Sequence, residues 1–355
     1  MDCKCKQKFS ICHQKSNIHF ISLIPELTKK FKIFFKKLKL IYSSQDNIIT
    51  IEKENPKIFF EENIDAIKTY FNTLELNEIK VYIENEKHKL SLNTILYAKP
   101  LEKYLNFIED KTFFDILENK SLTSHFQPII DIHNKKIFGY EALVRGVMPN
   151  GDLVYPDILF EKSARNDMDF KFDRLCRENA LKTTAVKKVD AKVFINFIPT
   201  TIYDPKFCLA STVKWAKQLE FDPKNIVFEV VETQKVKDIQ HLKTILNYYR
   251  EQGFLIALDD VGEGYSSLNM IIDLKPDIIK VDRNIITNID QDEMKRSVYK
   301  ALRNVAMENN IKILAEGVET PYELATLKNI GLDYAQGYYF AKPSAEIIRQ
   351  LPNVF

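Results

Sequence analysis

The sequence predicts an α/β protein: a modified (β/α)₈ barrel of the TIM type with an antiparallel first strand, preceded by a small α/β N-terminal domain. Two observations carry the barrel. From Ser124 onward, eight apolar runs with strand character fall at 126–132, 137–144, 192–196, 226–231, 255–259, 277–282, 312–316 and 333–337. Amphipathic helical stretches separate most of them, which is the alternation of a parallel barrel. The first two runs are separated only by His133-Asn134-Lys135-Lys136, too short for a parallel crossover of about a dozen residues. These two strands are therefore expected to run antiparallel.

The N-terminal part reads differently. Asn17 to Ile24 has strand character, and Pro25 to Leu40 places Leu27, Phe31, Phe34, Phe35 and Leu38 on one helical face. Short β-like runs follow at 47–52 and 79–83, with a helical pattern from Glu61 to Leu74 between them. A third helical stretch, Asn93 to Asn119, carries no strand and connects this module to the barrel. The boundary falls near Leu122, giving domains 1–122 and 123–355.

Composition narrows the function classes. In 355 residues, 51 Lys plus Arg stand against 49 Asp plus Glu, a formal charge of +2. That balance argues against nonspecific nucleic-acid binding by the whole surface. Five cysteines, three crowded at the start, do not form the pattern of a disulfide-stapled secreted domain, and no apolar run reaches the roughly eighteen residues of a membrane span. A soluble cytoplasmic protein is expected. Residues 1–45 carry ten Lys against Asp2 and Glu26, about +8, so the remainder is about −6. Lys29, Lys30, Lys32, Lys36, Lys37 and Lys39 suggest contact with an anionic membrane or RNA. The favoured reading is a solvated face, because Leu27, Phe31 and Phe34 are needed to cover their own sheet. Cys3, Cys5, Cys12 and His13 offer four soft ligands, but their spacing matches no common zinc motif and an unstructured terminus is favoured.

Polar residues interrupt the apolar runs where barrel chemistry resides, at the C-terminal ends of strands. In order they are Glu141, Asn196, Glu229, Asp259-Asp260, Lys280 and Asp282, Glu316 and Gln336. Any one of them alone reads as an ordinary loop or capping residue; the series does not. So many carboxylates in one mouth require cations, and an all-oxygen donor set selects Mg²⁺ or Mn²⁺ over Zn²⁺. Asp259 and Asp260 can bridge two ions about 3.5–4 Å apart, the arrangement of phosphoester displacement. Lys280 is placed to hold or polarise a water, and Asn196 reads as a neutral oxygen ligand.

These residues sit in ordered motifs: Phe126-Gln127-Pro128-Ile129, Glu141-Ala142-Leu143-Val144-Arg145, Asp259-Asp260-Val261-Gly262, Lys280-Val281-Asp282, Glu316-Gly317-Val318-Glu319 and Gln336-Gly337-Tyr338. Over residues 123–355 the chain resembles the EAL-domain phosphodiesterases, which hydrolyse cyclic di-GMP to linear pGpG with Mg²⁺ or Mn²⁺. The resemblance implies that Glu141, Asn196, Glu229 and Asp259 bind one ion, and Asp259, Asp260 and Glu316 the second. Catalysis would rest on Glu141, Lys280 and Glu316, with Lys280 positioning the hydrolytic water. Gln127, Arg145 and Gln336 would contact phosphate or guanine, Asp282 a guanine edge or the water network, and Glu232 and Glu319 would hold loops. It also implies a homodimer through the barrel and an N-terminal module that receives an unknown signal or partner. The chain departs from the family at Val261, usually Phe, and at Glu263, often Thr. The alternative is a catalytically weak cyclic di-GMP receptor or scaffold; the presence of every presumed ligand favours the enzyme.

Overall fold

The computed structural model describes residues 11–84, 90–91, 95–231, 238–262 and 267–350. Two compact units are present: Met1–Asp115 with Lys162–Asp167, and Ile116–Glu161 with Met168–Phe355. Among the described residues, no helix is long and apolar enough to cross a membrane.

The first unit is built on an antiparallel sheet. Its central strand β1 (Ser16–Ile21) pairs on one side with β3 (Ile48–Lys53) and on the other with β4 (Lys80–Ile83). β2 (Ser43–Gln45) and β5 (Lys99–Pro100) form the edges, giving the order β2-β3-β1-β4-β5. With helices Pro25–Lys37 and Pro56–Tyr70 in the connections, β1 to β4 trace a ferredoxin-like split βαβ unit. Alternate strand residues Ile18, Phe20, Ile49, Ile51 and Val81 pack against Phe31, Phe34, Phe35, Phe59 and Phe60 of the helices. Helix Pro25–Lys37 opens on a proline with Glu26 in its first turn and closes with Lys36 and Lys37, each favourable to the macrodipole.

Several expected boundaries shift. The first helix stops at Lys37 because Leu38 caps it and Lys39 turns left-handed at φ 53°. The second helix spans Pro56–Tyr70, earlier than the expected 61–74, because Asn55 accepts from Lys57 N at 3.0 Å and Pro56 supplies the first turn. The stretch expected as strandless helix contains β5, paired with β4, followed by helices Leu101–Glu109 and Lys111–Asn119. Pro100 holds the extended backbone that precedes the first of these.

The second unit is the closed eight-stranded barrel that the sequence predicts. Its staves are β6 (Leu122–Asp131), β7 (Lys136–Val147), β9 (Lys192–Phe197), β10 (Ile226–Val231), β11 (Leu255–Val261), β12 (Ile278–Val281), β13 (Lys312–Ala315) and β14 (Tyr334–Ala335). β8 (Leu153–Val154) lies outside the ring, paired with the end of β7. β6 and β7 form an antiparallel hairpin, β14 closes antiparallel on β6, and every other staves' pairing is parallel. β6 is thus the one reversed strand of an otherwise parallel barrel. Outward-facing residues such as Ile195, Phe228, Ile256, Ile279 and Ile313 form a large core with Leu246, Tyr249, Tyr299 and Leu302 of the surrounding helices. The barrel interior is plugged by a smaller cluster of Ile129, Phe194, Val227, Ala257, Ile278 and Leu314.

Candidate active site

The inner plug explains where the functional side chains come from. A strand residue and its second neighbour face the same side. Two positions from Ile129, Phe194, Val227, Ala257, Ile278 and Leu314 stand Gln127, Asn196, Glu229, Asp259, Lys280 and Glu316. They form the next layer up, directly above an apolar floor. Gln336, two past Tyr334, belongs to the same layer, and Glu141 joins through the hairpin, where it lies opposite Gln127.

Asp260 breaks the period yet reaches the same place, because β11 bulges. Between the pairs Leu258↔Ile279 and Val261↔Val281 the register shifts, so Asp259 and Asp260 together face the single Lys280. Such a bulge re-aims a side chain at the rim of a barrel. It holds Asp260 at φ 52°, a left-handed conformation that costs a non-glycine residue about 1–2 kcal/mol.

The layer is organised around Lys280. Its Nζ lies 2.7 Å from Glu229 Oε1, 2.8 Å from Asp259 Oδ1, 2.7 Å from Glu316 Oε1 and 3.9 Å from Glu141 Oε1. Glu229 is 0% exposed and Lys280 1%. Glu141 is held from both sides: its Oε1 accepts from Asn196 Nδ2 at 3.0 Å and its Oε2 from Gln336 Nε2 at 2.6 Å. Gln336 Nε2 also donates to Gln127 Oε1 at 3.0 Å. Carboxylate oxygens of Asp259, Asp260 and Glu316 lie within 4.8 Å of one another.

One ammonium does not balance these acids. Burial pushes the Glu229 and Glu316 carboxyls well above the usual carboxylate range; Lys280 opposes the shift, and neighbouring acids reinforce it. Burial by contrast lowers the Lys280 pKa, but the attraction of Asp259, Glu141, Glu229 and Glu316 outweighs it and holds the ammonium charged. Glu229 Oε2 is buried without a hydrogen-bond partner among the described residues. Excess carboxylate, an orphaned buried oxygen and an all-oxygen donor set fit a hard divalent cation.

The other expected site residues are placed as follows. Arg145 is buried, donates through Nη1 to the Val144 carbonyl at 2.8 Å and has its guanidinium 5.0 Å from the Tyr155 ring centre. Its Nε has no partner among the described residues. Asp282 is buried one step beyond the Lys280 layer and caps helix Arg283–Ile286, accepting from Asn284 N at 2.8 Å. Glu319 lies 3.8 Å from Arg283 on exposed surface, away from the acidic layer's interior. Glu232 and Glu263 lie outside the described residues, as do Cys3 and Cys5 of the cysteine cluster. Two residues not singled out in the sequence bear on the site. Glu323 accepts from Glu319 N at 2.9 Å, Thr320 N at 3.0 Å and Asn288 N at 2.8 Å, tying down the segment after Glu316. The Thr320-x-x-Glu323 capping box announces it in sequence. The other is His241, which contacts the Ile202 carbonyl in the loop after β9.

Barrel, hairpin and acidic layer together define an EAL domain. Residues 111–343 match the family model of the EAL domain, and the chain belongs to that family, as its motifs indicate. It is 30% identical over 234 residues to the cyclic di-GMP phosphodiesterase NbdA of Pseudomonas aeruginosa, covering 64% of this chain and 29% of that protein. Against the probable cyclic di-GMP phosphodiesterase PdeG of Escherichia coli the identity is 29%, covering 64% and 45%. The chain thus spans less than half the length of these curated relatives. Among solved structures, a cyclic di-GMP-bound standalone EAL protein of Vibrio cholerae is 40% identical with a TM-score of 0.59, covering 65% of this chain and 95% of its own. BlrP1 of Klebsiella pneumoniae, 20% identical with a TM-score of 0.59, covers 94% of this chain and 97% of its own, and shares the fold.

Proposed function

We propose that this protein hydrolyses cyclic di-GMP to linear 5′-pGpG with two Mg²⁺ or Mn²⁺ ions. The observation that carries the reading is the buried layer in which Glu229, Asp259 and Glu316 converge within 2.8 Å of Lys280 Nζ. Glu141, Asn196, Glu229 and Asp259 hold one ion, and Asp259, Asp260 and Glu316 the other. When bound, the ions supply the charge that activates water and steadies the phosphoryl oxygens. The chain's residues do the rest. Lys280 donates a hydrogen bond to the attacking water; the water oxygen bonds phosphorus, the P–O3′ bond breaks, and the proton the water gives up ends on the 3′ oxygen. Arg145 binds phosphate through its guanidinium, a planar fork of donors. Gln336, itself bonded to Gln127, orients Glu141 from within the layer; both glutamines contact the nucleotide, and Asp282 serves a guanine edge or the water network.

In this reading residues 1–122 receive a signal, and the barrel pairs with a second copy. Exposed Leu268 and Ile272, one turn apart on helix Ser267–Leu274, support the pairing, and light scattering of the purified protein tests it. The described cysteines Cys12, Cys176 and Cys208 are free thiols, which supports a cytoplasmic location. The decisive experiment incubates purified protein with cyclic di-GMP and Mg²⁺ or Mn²⁺ and separates the nucleotides. Wild type is expected to produce pGpG, and Glu141→Ala to lose at least about a hundredfold of that rate with unchanged circular dichroism. Near wild-type turnover in Glu141→Ala would remove the first ion site, and binding without hydrolysis by wild type would favour a receptor.

A further inference from the structure

Asn196 stands one residue from the end of β9 and is the only neutral side chain in the proposed ion sites. Its amide nitrogen donates to Glu141, so its oxygen is the atom left for a cation, and its aim depends on where β9 stops and turns. The turn follows at once: Ile198 precedes the short 3₁₀ segment Pro199–Thr201. Ile198 N–H, the first donor past the strand, is taken up by a side chain. It donates to Asp173 Oδ1 at 2.9 Å.

Asp173 belongs to helix Asp169–Val186 and forms an ion pair with Arg177 one turn on. Both side chains are 2% exposed, and Arg177 Nε donates to Thr212 Oγ1 at 3.2 Å. Thr201 Oγ1 lies 3.2 Å from Asp173 Oδ2 and 2.7 Å from the Ile198 carbonyl, so the far end of the turn meets the same carboxylate. His241 contacts the Ile202 carbonyl just beyond. The loop that follows Asn196 is thus held by hydrogen bonds from two helices.

Such a pair has a bland explanation, that it stabilises its helix. Buried ion pairs are poor stabilisers, and apolar residues of similar volume often replace them without loss. What an apolar pair does not offer is an acceptor for Ile198 N–H. We infer that Asp173, oriented by its contact with Arg177, is a positioning residue that sets the turn after β9 and so aims Asn196 at the ion it ligates. The inference rests on the ion sites of the proposed function.

The test compares Mn²⁺ binding, read from loss of the free-ion paramagnetic resonance signal without nucleotide, in wild type and two double variants. Asp173→Leu/Arg177→Met removes the acceptor. Asp173→Asn/Arg177→Gln removes the charges but keeps an acceptor for Ile198 N–H. The apolar pair is expected to melt no lower than wild type yet to bind Mn²⁺ about 10–100-fold more weakly, with the KM for cyclic di-GMP unchanged and kcat recovered at saturating Mn²⁺. The amide pair is expected to stay within about threefold of wild type. Equal Mn²⁺ affinity in the two variants overturns the inference. So does an apolar variant that fails to fold, since the pair would then be holding the barrel rather than the turn. Wild type that binds Mn²⁺ but yields no pGpG would instead overturn the phosphodiesterase reading and leave Asp173 in its role.

Discussion

Lys280 is the single cation in contact with Glu229, Asp259 and Glu316 among the described residues, and removing it leaves their carboxylates buried without a counter-charge. Lys280→Met is therefore expected to destabilise the metal-free barrel by about 3–5 kcal/mol, the usual result of breaking a buried ion pair from one side. Mn²⁺ should restore more stability to the variant than it adds to wild type. Urea unfolding in EDTA and in Mn²⁺ checks both; a loss below about 1 kcal/mol would mean that the acids simply take up protons. His19 in the first unit titrates in another window. Its Nδ1 lies 2.8 Å from Thr50 Oγ1 and its Nε2 3.3 Å from Glu84 Oε1. Burial lowers its pKa, with Glu84 opposing. The unfolded chain therefore binds the proton more readily, so His19 contributes stability above about pH 6.5 that is lost as pH falls through its lowered folded value. Burial raises the Glu84 carboxyl, but hydrogen bonds from Leu90 N and Asn17 and the charge of His19 outweigh it, and the net pKa is lowered. Its contribution thus disappears only below the ordinary carboxylate value of about 4.3. Urea midpoints from pH 8 to 5 should fall for wild type and stay flatter for His19→Gln.

Among the elements, those with a strong period were readable and those without one were not. All eight staves announce themselves by apolar runs, and the short 133–136 link shows that the first pair is a hairpin. Edge strands β2, β5 and β8 have two or three residues each, too few for alternation to register. The strand joints are where substitution should be felt. A Cβ at Gly139 would stand 2.6 Å from the Lys192 carbonyl oxygen, within the β7–β9 pairing that helps close the ring. Gly139→Ala is expected to lower the melting temperature by several degrees, as overpacking of about 1–3 kcal/mol implies. Glu323→Ala removes the side-chain half of the Thr320 capping box on helix Pro321–Ile330 and leaves Asn288 N–H without its partner. A loss of about 1–3 kcal/mol is expected by denaturant titration, and a change below 0.5 kcal/mol, about the background of surface substitutions, would show that water replaces the carboxylate.

Among the described residues, one hydrophobic core surrounds the sheet of the first unit, and another, with the smaller plug inside the ring, surrounds the barrel. Unfolding followed by calorimetry is expected to depart from a single two-state transition. Mn²⁺ at a hundred times its dissociation constant should stabilise the barrel's transition by about 2.7 kcal/mol and leave the other where it is; a shift of both together would show one cooperative unit. Sequence patterning was enough to name the barrel, its reversed strand and the acids at its strand ends, since alternation and oxygen-donor chemistry are properties of neighbouring residues. The folded arrangement alone revealed that Gln127, Asn196, Glu229, Asp259, Lys280 and Glu316 share one layer over an apolar floor, that a bulge turns Asp260 in beside them, and that Asp173 holds the turn behind Asn196. Those facts depend on register between strands and on contacts between residues far apart in the chain. Closure of the ring and packing against its helices set them, and no local pattern encodes either.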